Sequence, residues 1–170
     1  GEELQPLDFK PGEKFAYNNN GYIVLGMVIE KVSGKPYCEF MREEVFRPLS
    51  MTDTGCEEPS MILKQRASGY TRIDGNVAHA DYVDMRFPGG AGAIFSTVDD
   101  LLLWDRILTS DRLLSAGARA KLFTIVKGDY AYGWWVQTKF KRKAQWHRGN
   151  VSGFVAMLAR YPEERLGIAV

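Results

Sequence analysis

A chain of 170 residues with 45% apolar content is long enough to bury the core of one ordinary domain. Its 22 Lys and Arg against 21 Asp and Glu leave a net charge of +1, which argues against nucleic acid or another polyanion as the principal partner. No run of residues approaches a transmembrane span, and the first residues carry no signal-peptide pattern.

Both ends are expected to be cut from something longer: the chain opens abruptly at Gly1-Glu2-Glu3 and stops inside the apolar run Leu166-Gly167-Ile168-Ala169-Val170. Phe9 to Glu13 reads as an extended segment and turn leading to Phe15-Ala16-Tyr17-Asn18-Asn19-Asn20-Gly21-Tyr22. Asn20 to Ser33 predicts an amphipathic helix, with Tyr22, Leu25, Val28/Ile29 and Val32 on the inward face and Gly34 after its end. Lys35-Pro36 restarts the chain into a second helix to about Phe46, with Tyr37, Phe40, Met41 and Val45 inward. Leu49 to Val83 is the least regular part and holds one hairpin with an Asp74-Gly75 turn. Pro88 to Ala93 is a flexible small-residue segment entering a capped helix that runs to about Leu108, with Asp99 and Asp100 as capping residues. Ser115 caps a shorter helix through Phe123.

From there the period changes to two. Strands are expected at Tyr132 to Lys139, Ala144 to His147, Phe154 to Tyr161 and from Leu166 onward. Helices followed by an antiparallel meander is an α+β pattern. The helical and cleft part takes up about residues 1–125 and the sheet part about 130–170 of one partial domain, 1–170. Alternation sends Trp134 and Trp135 to opposite faces, one of them into the core. Lys139 to Lys143 reads as a solvated basic turn. Cys38 and Cys56 read most simply as two partly buried free thiols, able to pair only if the fold brings them close. With His79 and His147 they show no metal-binding spacing, so no metal and no cofactor is expected.

Two segments carry chemistry. Tyr17 and Asn19 put a phenol and a carboxamide at the mouth of a helix, where one can exchange a proton with a serine nucleophile and the other can grip a carbonyl. In Trp146-His147-Arg148-Gly149-Asn150-Val151-Ser152-Gly153, a polar His and Arg interrupt a strand. Gly149 admits a ligand to its edge, and the next backbone N–H can serve as an oxyanion donor.

Taken together and in order, these segments resemble one family. Phe15-x-Tyr17-x-Asn19-x-Gly21-Tyr22, Val32-Ser33-Gly34-Lys35, Phe46-x-Pro48-Leu49-x-Met51, Gly89-Gly90, Tyr132-Gly133-Trp134 and His147-x-Gly149 are similar to the serine β-lactamase and penicillin-binding superfamily, in its class C-like branch of β-lactamases, DD-peptidases and esterases. The resemblance implies a β-lactamase/transpeptidase-like α+β fold, truncated at both ends, with a helical part packed on an antiparallel sheet. It implies three motifs: Ser-x-x-Lys, Tyr-x-Asn and Lys-Thr-Gly or His-x-Gly. The second is Tyr17-Asn18-Asn19 and the third is His147-Arg148-Gly149, but no serine of the chain has a lysine three positions on.

Carried over residue by residue, the resemblance makes Tyr17 a general base, its pKa lowered by nearby cations, with His147 beside its hydroxyl. It makes Asn19 a partner of the substrate carbonyl and the Asn150 N–H half of an oxyanion hole. Histidine in the third motif leaves carboxylate capture weak unless Arg148 compensates, which leans away from efficient β-lactam hydrolysis. The implied function is part of a serine hydrolase acting through an acyl-enzyme on esters, small amides, D-alanyl peptides or β-lactams. The chain alone would be inactive. The alternative is a non-catalytic module that recognises penicillin or peptidoglycan. The resemblance also suggests a cell-envelope, periplasmic or secreted setting, and self-association through apolar surface left uncovered.

Overall fold

The computed structural model describes residues 6–170, so the expected cut at Gly1-Glu2-Glu3 lies outside the described residues. Helix α1 (Asn19–Ser33) starts where Asn18, in an extended conformation, accepts a hydrogen bond from the Asn20 N–H at 2.7 Å. A side-chain cap of this kind stabilises a helix by about 1 kcal/mol. The helix ends at Gly34, whose left-handed backbone (φ 71°) lets its N–H reach the Glu30 carbonyl.

The buried face of α1 follows its apolar spacing only in part: Tyr22 and Ile29 are half-buried on it as predicted. Leu25, Val28 and Val32 are exposed, and Gly26 is the buried residue. The reason is a close backbone approach. A short 3₁₀ turn, Gly89–Ala91, presses on the helix so tightly that a Cβ on Gly90 would lie 2.6 Å from the Tyr22 carbonyl oxygen. The small residues of Pro88 to Ala93, expected to give flexibility, serve this contact instead.

Helix α2 (Tyr37–Phe40) runs into a π-helical turn, Met41–Phe46, so the expected second helix keeps its length but loses its α-period. That turn contributes to a core of Phe46, Leu49, Met51 and Ile107, with Met41, Val45, Leu103, Trp104 and Leu113 packed on it. Strand β1 (Gly55–Cys56) pairs antiparallel with β4 (Ile94–Phe95). Cys56 is bonded to Cys38 as a disulfide, which overturns the expectation of two free thiols: the fold brings their Cα atoms to 5.8 Å across a separation of 18 residues.

The irregular stretch contains the hairpin β2 (Tyr70–Ile73) and β3 (Asn76–His79), turned at Asp74 and Gly75 as its Asp-Gly pair predicts. It is fastened to the main sheet by a hydrogen bond from the Tyr70 N–H to the Gly153 carbonyl at 3.2 Å. The seam is tight, since a Cβ on Gly153 would sit 2.5 Å from the Ala80 Cβ and 2.7 Å from the Gly69 Cα.

Helix α3 (Val98–Ile107) is capped by Thr97, which accepts from the Asp100 N–H. Asp100 was expected to cap this helix, but its carboxylate turns away and accepts from the Asp53 N–H at 2.9 Å and the Thr54 hydroxyl at 2.7 Å, joining α3 to the segment before β1. Helix α4 (Ala116–Leu122) is capped by Ser115.

The main sheet has the order β5-β6-β7-β8: Trp135–Lys139, Arg142–Val151, Phe154–Tyr161 and Leu166–Ala169, all antiparallel. Strand β5 starts three residues later than its sequence pattern predicts. Strand β6 is much longer at both ends, because Arg148 to Val151 go on pairing with β7. The β5–β6 turn is made by Phe140 and Lys141, both at positive φ, so the basic cluster sits at a hairpin tip. Helix α3 docks on the sheet through Asp105. This residue bonds the Arg160 guanidinium of β7, which also donates to the Gln145 side chain at 3.1 Å.

Candidate active site

Two elements build the site: the start of α1 and the far half of β6. Because Asn18 is the cap, Tyr17 lies just before the helix and Asn19 is its first residue, so both project from a fixed end. The Tyr17 hydroxyl donates to the Asn19 Oδ1 at 3.0 Å. That bond orients the carboxamide and leaves its NH₂ without a partner among the described residues, free to donate to a carbonyl.

Strand β6 presents an open edge here, and the backbone bonding shows which groups face it. The Val136 N–H points away from β6, to the Asp129 carbonyl at 2.8 Å. The Val136–Gln145 pair is therefore one that exchanges no hydrogen bonds, and the residues at 146, 148 and 150 direct their N–H groups to the β5 side. Met157, opposite Arg148, spends its own N–H and C=O on Val170 at 2.8 and 2.9 Å, which fits the same alternation. Strand β5 begins at Trp135, opposite Trp146, so no strand among the described residues covers the Arg148 and Asn150 N–H groups. Gly149 lies between them with open space where a side chain would be.

His147 lies at the entrance to this edge. Its ring centroid is 5.8 Å from that of Tyr17, so a phenol from the start of the chain and an imidazole near its end come together beside this edge. They are not hydrogen-bonded to each other. The His147 Nε2 is instead 3.1 Å from the Tyr130 hydroxyl, which is 3.0 Å from the Tyr22 hydroxyl. Burial pushes the imidazole below its ordinary value, and a hydrogen bond with the Arg148 backbone opposes that shift. Tyr17 is pushed above the ordinary phenol value, first by burial and then by the neighbouring Tyr22 phenol. The lowering by nearby cations expected for Tyr17 is not supplied by the described residues. Alternation puts the Arg148 and Asn150 side chains on the face of β6 opposite the imidazole.

Tyr130 and Tyr22 are the site residues that sequence reasoning missed. Tyr130 lies two positions before the quoted Tyr132-Gly133-Trp134, and Tyr22, although it closes the quoted Phe15-to-Tyr22 motif, carries no chemical role in the sequence reading. Trp134 is buried against Phe123, with centroids 5.4 Å apart, whereas Trp135 packs on Tyr130 at 4.9 Å, as their alternation predicts. Among the described residues, no group of three His, Cys, Asp or Glu side chains is placed to hold a metal ion.

A family model described as Beta-lactamase matches residues 3–170. The chain belongs to the beta-lactamase family. Penicillin-binding protein 4* of Bacillus subtilis (strain 168) is 28% identical over 177 residues, an alignment covering 92% of this chain and 39% of that protein. The penicillin-binding protein of Bacillus halodurans superposes with a TM-score of 0.84 at 28% identity, over 97% of this chain and 53% of that one. An octameric penicillin-binding protein homologue from Pyrococcus abyssi gives a TM-score of 0.83 at 28% identity, over 95% and 39%. The chain thus spans roughly two fifths to one half of these relatives, and over that span it has their mixed helical and antiparallel fold.

Proposed function

We propose that this chain is the proton-transfer and carbonyl-holding part of a serine hydrolase that works through an acyl-enzyme, its serine and lysine coming from sequence outside these residues. The observation that carries the reading is the convergence of Tyr17 and His147 at 5.8 Å beside the open edge of β6. In this reading Tyr17 shuttles the proton of the serine hydroxyl, Asn19 donates its amide N–H to the acyl carbonyl, and the Asn150 N–H faces the oxyanion. An opposite charge within about 4–6 Å favours the phenolate, so the family's lysine would bring the raised Tyr17 back toward working range.

The half-buried imidazole favours esters, small amides or D-alanyl substrates over efficient β-lactam hydrolysis. A neutral His147 offers no fixed charge to a substrate carboxylate, and the Arg148 side chain lies on the other face of the strand. In the intact protein, Tyr17→Phe is expected to lower turnover of an activated ester by at least about 10²-fold, as measured by steady-state kinetics. Wild-type turnover in that variant would remove the phenol from the mechanism. The 170-residue chain alone should take no covalent label from a fluorescent penicillin or a fluorophosphonate, and a stoichiometric adduct would reveal a nucleophile within it.

The alternative reading is a penicillin- or peptidoglycan-binding module without turnover, which would hold if the whole protein lacks Ser-x-x-Lys. The sequence of the protein that carries this chain separates the two: Ser-x-x-Lys upstream supports the hydrolase, and its lack supports the module. Self-association belongs to the same proposal. It is supported by the exposed apolar side chains of α1 and β8, Val24, Leu25, Met27, Val32, Leu166 and Ile168.

A further inference from the structure

The turn between β5 and β6 runs against the preference of its own backbone. It is a two-residue hairpin loop, since Lys139 and Arg142 pair across it and only Phe140 and Lys141 lie between them. Both have positive φ, 52° and 61°, a geometry that favours Asn-Gly or Asp-Gly because a larger side chain there crowds its own backbone. The chain uses that solution elsewhere: the β2–β3 hairpin turns through Asp74 and Gly75 at φ 49° and 83°. At the β5–β6 turn a phenylalanine and a lysine take the same two places. The Phe140 ring gains little packing in return, being 87% exposed.

Cations surround the exposed ring. Lys139, Lys141, Arg142 and Lys143 are all exposed. Arg142 lies 3.4 Å from Glu164, and the Lys139 ammonium stands 5.5 Å over the Trp146 ring. Among the described residues, Lys139, Lys141 and Lys143 have no carboxylate within ion-pair distance. The turn between β7 and β8 lies at the same end of the sheet and adds Glu163, Glu164 and Arg165, so that end carries five cations and two carboxylates. The cluster stands at the opposite end of β6 from the open edge, with His147 about 17 Å along the strand from Arg142.

We propose that this tip is a peripheral membrane contact, in which Phe140 enters the interfacial layer of an anionic lipid surface while Lys139, Lys141, Arg142 and Lys143 face the lipid phosphates. Charge alone would fit a soluble acidic polymer equally well. The exposed ring decides for lipid, because a polymer in water offers it no apolar phase. Neither signal suffices by itself: a single apolar group gives marginal, reversible binding, and each cation near an anionic leaflet strengthens it about fivefold. With a net charge of only +1 for the whole chain, the attraction is confined to this end of the sheet. The contact does not depend on the acyl-transfer chemistry.

The test uses the full-length protein carrying this chain, sedimented with vesicles of equal parts phosphatidylcholine and phosphatidylglycerol and with vesicles of phosphatidylcholine alone. Binding is expected to the mixed vesicles only. It should weaken as salt rises from about 0.1 to about 1 M and the Debye length falls from about 10 to about 3 Å. Phe140→Asn with Lys141→Gly supplies the pair that the backbone prefers, so the melting temperature should hold or rise while binding falls at least about tenfold. Lys141→Gln with Lys143→Gln keeps the ring and should weaken binding about 25-fold. The fluorescence of Phe140→Trp should shift to the blue on the mixed vesicles and be quenched by brominated lipid. A wild type that binds neither vesicle would overturn the proposal, and so would full affinity in the Asn-Gly variant or a Phe140→Trp signal that brominated lipid leaves unquenched. Binding of both wild type and the Asn-Gly variant to soluble polyphosphate, with none to vesicles, would assign the tip to an acidic polymer instead.

Discussion

The imidazole of His147 sets the pH behaviour of the site. Its folded-state value lies below the ordinary 6.5 because burial disfavours the cation. Unfolding then takes up a proton as the pH falls below the unfolded value, so the fold loses stability from about pH 6.5 down to the depressed folded value and no further through this group. Urea melts of the intact protein and of His147→Gln at pH 7.5 and 5.5 should show this, with the wild type losing more stability on acidification than the variant. Gly149 allows a separate test. Nothing lies within 4 Å of where its Cβ would be, so Gly149→Val should fold normally. The added side chain would fill the approach to the strand edge, and ester turnover should fall at least about tenfold at unchanged melting temperature. His147 and Gly149 were legible in the sequence because the ordered combination of motifs singles them out. The Tyr22–Tyr130 pair was not, because its members are 108 positions apart and nothing in either local pattern points to the other.

Between elements, the join of α3 to the sheet rests on a buried charge. Arg160 is 4% exposed, bonded to Asp105 and Gln145, with its guanidinium 5.3 Å over the Phe123 ring. Removing one member leaves the other charge buried and unpaired, so Asp105→Ala should cost about 3–5 kcal/mol in a chemical melt of the intact protein. A loss under 1 kcal/mol would show that the join does not depend on this pair. The extents of α1, α3, α4 and β7 could be read from period and caps, since Asn18, Gly34, Thr97 and Ser115 are local signals that the structure uses as caps. What could be read only in part was which face of α1 turns inward. Its apolar residues surround much of the helix, and the decision rests with a distant glycine, Gly90, which admits backbone where side chains would otherwise pack. Asp100 illustrates the same limit: a sequence places it in a helix's first turn but cannot supply its partners at Asp53 and Thr54.

For the molecule as a whole, the antiparallel sheet over a helical part and the family itself were legible, but the state of the cysteines was not. Cys38 and Cys56 meet only because the π-helical turn and β1 bring together two segments with no Cys-x-x-Cys signal between them. Closing a loop of that length stabilises a fold by about 3 kcal/mol, so reduction should lower the melting temperature of the intact protein, and Cys38→Ser should reproduce the shift without reductant. The uncovered apolar side chains of α1 and β8 lead to a prediction for the 170-residue chain alone: sedimentation should show association that grows with concentration. A monomer with a concentration-independent, cooperative melt would contradict it.

The seam between Gly69 and Gly153 has a mechanical consequence. The β2–β3 hairpin is bolted just past the end of the same strand that carries His147, by a backbone bond and by contacts that leave no room even for a methyl group. The hairpin and the strand must therefore travel as one rigid piece, and a single alanine at Gly153, forced into a left-handed backbone at φ 78°, would pry the two apart.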